Sequence, residues 1–231
     1  MKPVRLSGQV GPDAQSDIDH TLALMRAMQV AENPSPILRV YAPRPTVAFG
    51  RRESLMPSFA AAQDAARTHG FRPVIRLAGG RAVAYDESCL VIDLITPSDQ
   101  GISNDVVFTV VSESVRRVLA DLGIDARVGA VQREYCAGPH SVNARDEVKL
   151  VGIAQRVSRG ARLVTASIAL GPADGLRSVV DDVYRAMSLD WDPRTFGTLA
   201  GEGVHASPEE LARAVTTGLA LTHAEWAEPF V

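Results

Sequence analysis

The sequence predicts an α/β fold of the α+β kind: a mixed, largely antiparallel sheet packed with helices. Strand-like segments follow one another in pairs more often than they alternate with helices, as at 37–43 with 46–50 and at 148–157 with 162–170. That order argues against a doubly wound parallel sheet. Gly79-Gly80 belongs to neither a GxGxxG nor a Walker sequence, so dinucleotide and P-loop logic does not apply. With 46% hydrophobic residues, the 231 residues bury one sizeable core, and 1–231 is read as a single domain.

In chain order, 1–13 reads as an irregular or strand-like lead-in. Leu22, Met25 and Met28, with Leu24, form an apolar stripe at helical spacing, which predicts a helix from Asp17 to Val30 capped by Ser16 or Asp17. ILRVYAP (37–43) and TVAFG (46–50) read as strands, followed by an Ala-rich helix from Ser58 to Thr68 that His69-Gly70 ends. PVIRLAGGRAVAYDESCLVIDLI (73–95) is strand-like at its ends with a Gly-Gly turn in the middle. Ser103-Asn104-Asp105 caps a long helix from Val106 to Leu122, which Gly123 stops. A short strand at 126–132 precedes VKLVGIAQRV (148–157), and RLVTASIAL (162–170) is its antiparallel neighbour across Ser158-Arg159-Gly160. Beyond Gly171-Pro172 the chain reads as mainly helical. Ser207-Pro208-Glu209-Glu210 opens a helix reaching about Leu221.

Composition excludes several classes. A net charge of −3 with no Lys/Arg run leaves no footprint for nucleic acid or a membrane surface. No stretch has transmembrane length, and MKPVRLSGQVGPDAQ lacks the apolar core of a signal peptide. A cytoplasmic location is expected, with Cys89 and Cys136 as free thiols. No His/Cys/Asp group has metal-ligand spacing, and no metal is expected.

Three constellations could carry chemistry. In Arg76-Leu-Ala-Gly79-Gly80-Arg81-Ala82-Val83, with Tyr85-Asp86, the glycines expose backbone N–H groups between arginines, suited to an anionic or carbonyl-bearing ligand. The alternative is a hairpin turn with solvated arginines. Cys136-Ala-Gly138-Pro139 holds a thiol on a loop, where a thiolate could act as nucleophile; the alternative is a buried thiol, the reading that fits Cys89 in CLVIDLI. His140 is a base for that thiol or a surface histidine. Lys149 and Lys2 are the two lysines among 24 cationic side chains. Alternation sets Lys149, Val151 and Ile153 on one face, where an ammonium is costly without a partner or ligand. Gly152 would let a ligand lie against the strand.

Together these segments resemble the lipoate–protein ligase and octanoyltransferase superfamily, whose catalytic domain is shared with biotin–protein ligases. The likeness is carried in order by LRVYAPRPTVAFGRRES, RLAGGRAVAYDESCLVIDLI, VKLVGIAQRV and SPEELARAV. It implies a biotin/lipoate-ligase-like catalytic domain. Lys149 falls on the family's active-site lysine, which contacts the acyl carbonyl or the acyl-adenylate phosphate. Arg76, Gly79, Gly80, Arg81, Ala82, Val83, Tyr85 and Asp86 fall in the loop that wraps the ligand. Arg51, Gly138, Gly152, Ala154 and Gln155 join the expected acyl-binding set. The chain departs from the family at Arg81 (a glycine), Ala78 (a serine) and Tyr85 (a histidine usual in ATP-dependent ligases). YCAGPHSVNA, with Cys136 thirteen residues ahead of Lys149, resembles the branch that uses a cysteine nucleophile. The chain also ends before the separate C-terminal domain of the larger ligases.

The resemblance implies an acyltransferase of protein lipoylation. Octanoyl or lipoyl would pass through a Cys136 thioester to a lysine of a lipoyl domain, with Lys149 stabilising the oxyanion and the thiolate. Expected partners are the glycine cleavage H protein or a 2-oxoacid dehydrogenase E2, with acyl carrier protein as a donor. Such a transferase needs no cofactor. Two alternatives are an ATP- and Mg²⁺-dependent lipoate–protein ligase and a non-catalytic acyl-binding relative.

Overall fold

The computed structural model describes residues 5–7, 11–98 and 103–226. It contains a seven-stranded sheet and a three-stranded one. The large sheet is built from β1 (Arg5–Ser7), β2 (Ile37–Tyr41), β6 (Cys89–Thr96), β7 (Ala126–Val128), β8 (Val142–Ala144), β9 (Val148–Ser158) and β10 (Ala161–Ala169), in the order β1-β2-β6-β10-β9-β8-β7. Only β1 and β2 run parallel in it; every other pair is antiparallel. The small sheet places β3 (Thr46–Phe49) between β4 (Arg72–Ile75) and β5 (Val83–Tyr85). Five α-helices lie among the described residues: α1 (Ala14–Val30), α2 (Phe59–Thr68), α3 (Asn104–Asp121), α4 (Asp174–Ala186) and α5 (Pro208–Trp226).

Most elements lie where periodicity places them. The first helix starts three residues earlier than read, because Asp13 and not Ser16 or Asp17 is the cap: its carboxylate accepts the Ser16 N–H at 2.9 Å. Asp17 is instead buried, paired with Arg39. Ser103 caps α3 as expected, and Ser207 with Glu210 forms a reciprocal capping box at α5, which runs on to Trp226. Of the lead-in, the described residues include β1 and 11–13, the last of which caps α1. β8 was not anticipated. Nor do β4 and β5 form a hairpin. Both pair with β3, in parallel and antiparallel sense respectively, so the 76–82 segment passes across the end of that strand.

Register divides the large sheet into two faces. Leu38, Leu90, Ile92, Leu94, Val151, Val164 and Ile168 share one face with the apolar stripes of α3 and α5, including Val107, Val111, Leu211 and Val215. On the other face, Ser167 stands between Gly152 and Val91, and Thr165 between Ala154 and Asp93. This face looks toward α1 and the small sheet, and the site forms between them.

The strand β6 is buried at every residue, Asp93 included. Arg39, fully buried on β2, answers the charge: its guanidinium lies 2.6 Å from Asp17 and 3.7 Å from Asp93, and donates to the Thr21 hydroxyl at 2.9 Å. Thr21 in turn donates to Asp93 at 2.6 Å. Burial nevertheless pushes the Asp93 carboxyl above the usual carboxylate range, against Thr21, Thr165 and Arg39, which lower it. No helix among the described residues is long and apolar enough to cross a membrane.

Candidate active site

The site begins at an irregularity in β9. Val142 of β8 pairs with Val151, but Asn143 pairs with Lys149, so two steps of β9 oppose one of β8 and Leu150 is the extra residue. The period-2 reading therefore breaks at Lys149. Leu150 and Val151 both enter the core beneath α3 and α5, and Ile153 packs against it. Lys149 turns to the opposite face, where a Cβ on Gly152 would meet its Cε at 3.5 Å. The expectation that Lys149 shares a face with Val151 and Ile153 is corrected by this bulge.

Lys149 is 2% exposed, and its ammonium has three acceptors: Glu134 Oε1 at 3.0 Å, the Tyr135 carbonyl at 3.1 Å and the Cys136 carbonyl at 2.9 Å. The Tyr135 ring adds its face, 4.7 Å from Nζ. An ammonium carries three N–H donors, and here all three are occupied by protein. Glu134, also buried, accepts from the Val131 and Gly138 N–H groups and from Ser141 Oγ as well. Glu134 and Lys149 thus lock the 131–141 segment onto β9.

Cys136 sits on that segment with φ +45°, left-handed backbone uncommon for a residue with a side chain. Both backbone polar groups are held. Its N–H donates to the Tyr184 hydroxyl at 2.9 Å, that hydroxyl donates to the Ala82 carbonyl at 3.2 Å, and its own carbonyl takes Lys149. The thiol is half-buried, and Sγ accepts the Arg81 N–H at 3.1 Å and Arg76 Nη2 at 3.6 Å. Both donors stabilise negative charge at sulfur. Cys89 is different: 2% exposed, with burial pushing its thiol up to about 12.

The loop that supplies those donors is itself braced. Glu53, buried, accepts the Gly50 N–H at 2.8 Å and the Ala82 N–H at 2.9 Å. Gly80 has φ +96°, and a Cβ there would lie 2.7 Å from Cys136 Sγ and 2.5 Å from Arg76 Nη2. A Cβ on Gly50 would fall 2.0 Å from the Gly80 carbonyl oxygen. Glycine is required at both by close approach.

Beneath this loop runs a cleft lined by Arg76, Leu77, Ala78 and Tyr85 on the loop side and by Gly152, Thr165 and Ser167 on the sheet side. The Arg76 Nη2 donates to the Arg81 carbonyl at 2.7 Å, while its buried Nε–H has no partner. Tyr85 is buried, and desolvation raises its phenol far above the ordinary value, so it stays neutral.

The remaining residues read from sequence divide by position. Gly79 ties the loop to β9 through its N–H and the Gln155 carbonyl, 3.4 Å apart. Ala82 and Val83 are buried where the loop enters β5, and Ala154 lies on the cleft face opposite Thr165. Gly138 serves the Glu134 brace. Others lie off the cleft. Asp86 accepts the Ser88 N–H and hydroxyl and so holds its own turn. The Gln155 side chain lies on the helix-covered face, 3.3 Å from Asn104. Arg51 is exposed, and its side chain makes no hydrogen bond with these residues. His140 stacks on Phe108 with ring centroids 4.7 Å apart, not on the thiol. No cluster of His, Cys, Asp or Glu among the described residues could hold a metal.

Residues 14–185 match the model of the lipoyl protein ligase A/B catalytic domain. The chain belongs to that family. Among curated relatives, octanoyl-GcvH:protein N-octanoyltransferase of Exiguobacterium sibiricum is 29% identical over 181 residues, covering 78% of this chain and 66% of the relative. The enzyme of the same name from Exiguobacterium sp. is 27% identical over 190 residues, covering 81% of this chain and 68% of the relative. The chain thus spans about two thirds of the length of these relatives. Among solved structures, the bi-partite lipoate protein ligase of Thermoplasma acidophilum superposes with a TM-score of 0.75 at 23% identity, covering 97% of this chain and 85% of that one. The family model and this superposition establish the mixed α+β ligase-like fold. Glu53, Glu134 and Tyr184 were not singled out from sequence. Glu134 adjoins the Tyr135-Cys136 pair and Glu53 follows Gly50 by three residues, whereas nothing local marks Tyr184.

Proposed function

We propose that this protein is an acyltransferase of protein lipoylation, moving an octanoyl or lipoyl group through a thioester on Cys136 to a lysine of a lipoyl domain. The observation that carries the reading is the environment of Sγ: a half-buried sulfur on a strained, clamped residue, receiving N–H donors from Arg81 and from Arg76, which also lines the neighbouring cleft. The names of the curated relatives support octanoyl as the group moved and a GcvH-type carrier as a source.

In the first half-reaction the Cys136 thiolate attacks the acyl carbonyl carbon. The new C–S bond forms as the bond to the donor's amine or thiol breaks, and that leaving group takes up a proton. In the second, the ε-amine of an acceptor lysine attacks the thioester, the C–N bond forms, and sulfur leaves as thiolate. Arg76, with an unused Nε–H beside the cleft, is the group disposed to receive the developing oxyanion. Lys149 acts one step back, holding the backbone of Cys136. The carriers expected as donor and acceptor are the H protein, an E2 lipoyl domain and acyl carrier protein.

Intact-mass spectrometry after incubation with octanoylated H protein or octanoyl-acyl carrier protein reads the intermediate directly. An octanoyl adduct on Cys136, absent in Cys136→Ser, is expected without ATP or Mg²⁺. Wild-type transfer rates in Cys136→Ser, or transfer that requires ATP with release of pyrophosphate, would overturn the reading.

A further inference from the structure

Two separately braced segments meet at the sulfur of Cys136. Glu134 and Lys149 lock the 131–141 segment onto β9, while Glu53 pins the 76–82 loop at the Ala82 N–H and Arg76 pins it at the Arg81 carbonyl. Among the described residues, the hydrogen bonds that join the two segments directly are those at Sγ, from the Arg81 N–H at 3.1 Å and Arg76 Nη2 at 3.6 Å. Sulfur is a weak acceptor and does not hold two segments in register by itself. Tyr184 joins them from a third element. It lies on α4, 1% exposed, packed in the cluster that holds Val83 and Trp191, with its ring centroid 5.7 Å from that of Trp191.

One oxygen makes both connections. Tyr184 Oη accepts the Cys136 N–H at 2.9 Å and donates to the Ala82 carbonyl at 3.2 Å. Ala82 follows Arg81 directly, and Cys136 carries Sγ, so the same hydroxyl holds the donor side and the acceptor side of the Arg81 N–H···Sγ bond. Burial raises the phenol well above its ordinary value, so it keeps the proton that it donates. We infer that Tyr184 is a positioning residue for the nucleophile: its hydroxyl sets the distance between the Arg81 N–H and Sγ, and with it the readiness of Cys136 to react as thiolate. Oη bonds backbone at both ends and Tyr184 does not line the cleft, so it acts through Cys136 and Arg81 alone. The inference deepens the proposed function, since it takes Cys136 as the nucleophile of that reading.

Tyr184→Phe removes the oxygen and keeps the ring, and alkylation reads the sulfur with no acyl donor present. At pH 7 iodoacetamide should modify Cys136 in Tyr184→Phe about tenfold more slowly than in the unsubstituted chain, the loss expected when a thiolate gives up one well-placed donor. The deficit should close by about pH 10.5, where a thiol ionises without help. Leu176→Ala is the control. Leu176 is buried about two turns from Tyr184 on the same helix, so its truncation weakens the packing of α4 without touching the hydroxyl, and alkylation should be unchanged. A rate at pH 7 equal to or above that of the unsubstituted chain, a deficit that persists at high pH, equal slowing in Leu176→Ala, or loss of the fold in Tyr184→Phe would overturn the inference. The octanoyl adduct on Cys136 decides the transferase reading separately. An alkylation deficit with no adduct in the unsubstituted chain upholds the role of Tyr184 and sinks that reading; an adduct with no deficit does the reverse.

Discussion

Lys149 Nζ lies 2.9 Å from the carbonyl oxygen of Cys136, and this contact, not one to the thiol, is how the internal lysine reaches that residue. With its other donors on Glu134 and the Tyr135 carbonyl, the ammonium works as a strut. Both members of the ion pair are out of water, with side chains 1% and 0% exposed, so the pair depends on its geometry being complete.

Removing one charge should therefore be more damaging than removing both. Glu134→Gln leaves a buried ammonium beside a neutral amide and is expected to cost about 3–5 kcal/mol in urea unfolding. Glu134→Gln combined with Lys149→Met should recover part of that loss without recovering acyl transfer, because nothing then anchors the Cys136 carbonyl. A single substitution costing under about 1 kcal/mol would show that the pair is not what holds the segment.

At Gly80 the space and the backbone give the same answer. Gly80→Ala puts a methyl group within 2.7 Å of Sγ on a residue at φ +96°. Stability should fall by about 1–2 kcal/mol from the left-handed backbone alone. Acyl-enzyme formation should fall much further, by about a hundredfold, because the displaced loop carries the Arg81 N–H away from sulfur. Stopped acylation followed by mass spectrometry measures it.

The two thiols should separate cleanly under alkylation. Iodoacetamide at pH 8 is expected to modify Cys136 within minutes and leave Cys89 untouched, since Cys89 is buried and its thiol titrates only at about 12. Peptide mapping reads both sites, and prompt labelling of Cys89 in the folded protein would contradict its burial.

Acid should loosen the turn after Leu189 before it unfolds the core. The Asp192 carboxyl, bonded first by the Arg194 side chain and then by its N–H, is held down at about 2, against an ordinary value of 3.8. A depressed carboxyl stabilises the fold above its unfolded value and ceases to do so as pH falls through its folded one. The contribution of this turn is therefore present above about pH 4 and lost between about 4 and 2. Carboxyl NMR titration should show the low midpoint, and Asp192→Asn should flatten the pH dependence of stability in that window.

Much of the scaffold was legible because periodicity reports burial. The apolar runs of β6 and β10 and the capped starts of α3 and α5 stand out in the sequence without any tertiary information. What sequence missed is what depends on distant partners. Asp13 took the cap of α1 because Asp17 was needed by Arg39, twenty-two residues on. Tyr184 meets Cys136 across forty-eight residues, a contact no local pattern encodes. The Gly-Gly turn and the β3 strand both show in the sequence, but the pairing of β3 with β4 and β5 does not, so a hairpin seemed available where a crossing exists. Gln155 was placed with the ligand by motif, whereas two-residue alternation from Gly152 puts it on the helix side.

The bulge at Leu150 works as a phase shifter. Around it, β9 sets Lys149, Gly152 and Ala154 toward the cleft face, while Leu150 and Val151, side by side, both enter the core beneath the helices. Regularising the strand with Leu150 kept would swing Lys149 in among Val151 and Ile153, where an ammonium has no counter-charge, whereas deleting Leu150 would remove the bulge and leave Lys149 on the cleft face. The lysine's placement and the bulge are thus tied to each other: a strand that keeps Leu150 can hold Lys149 over the cleft only by staying bulged.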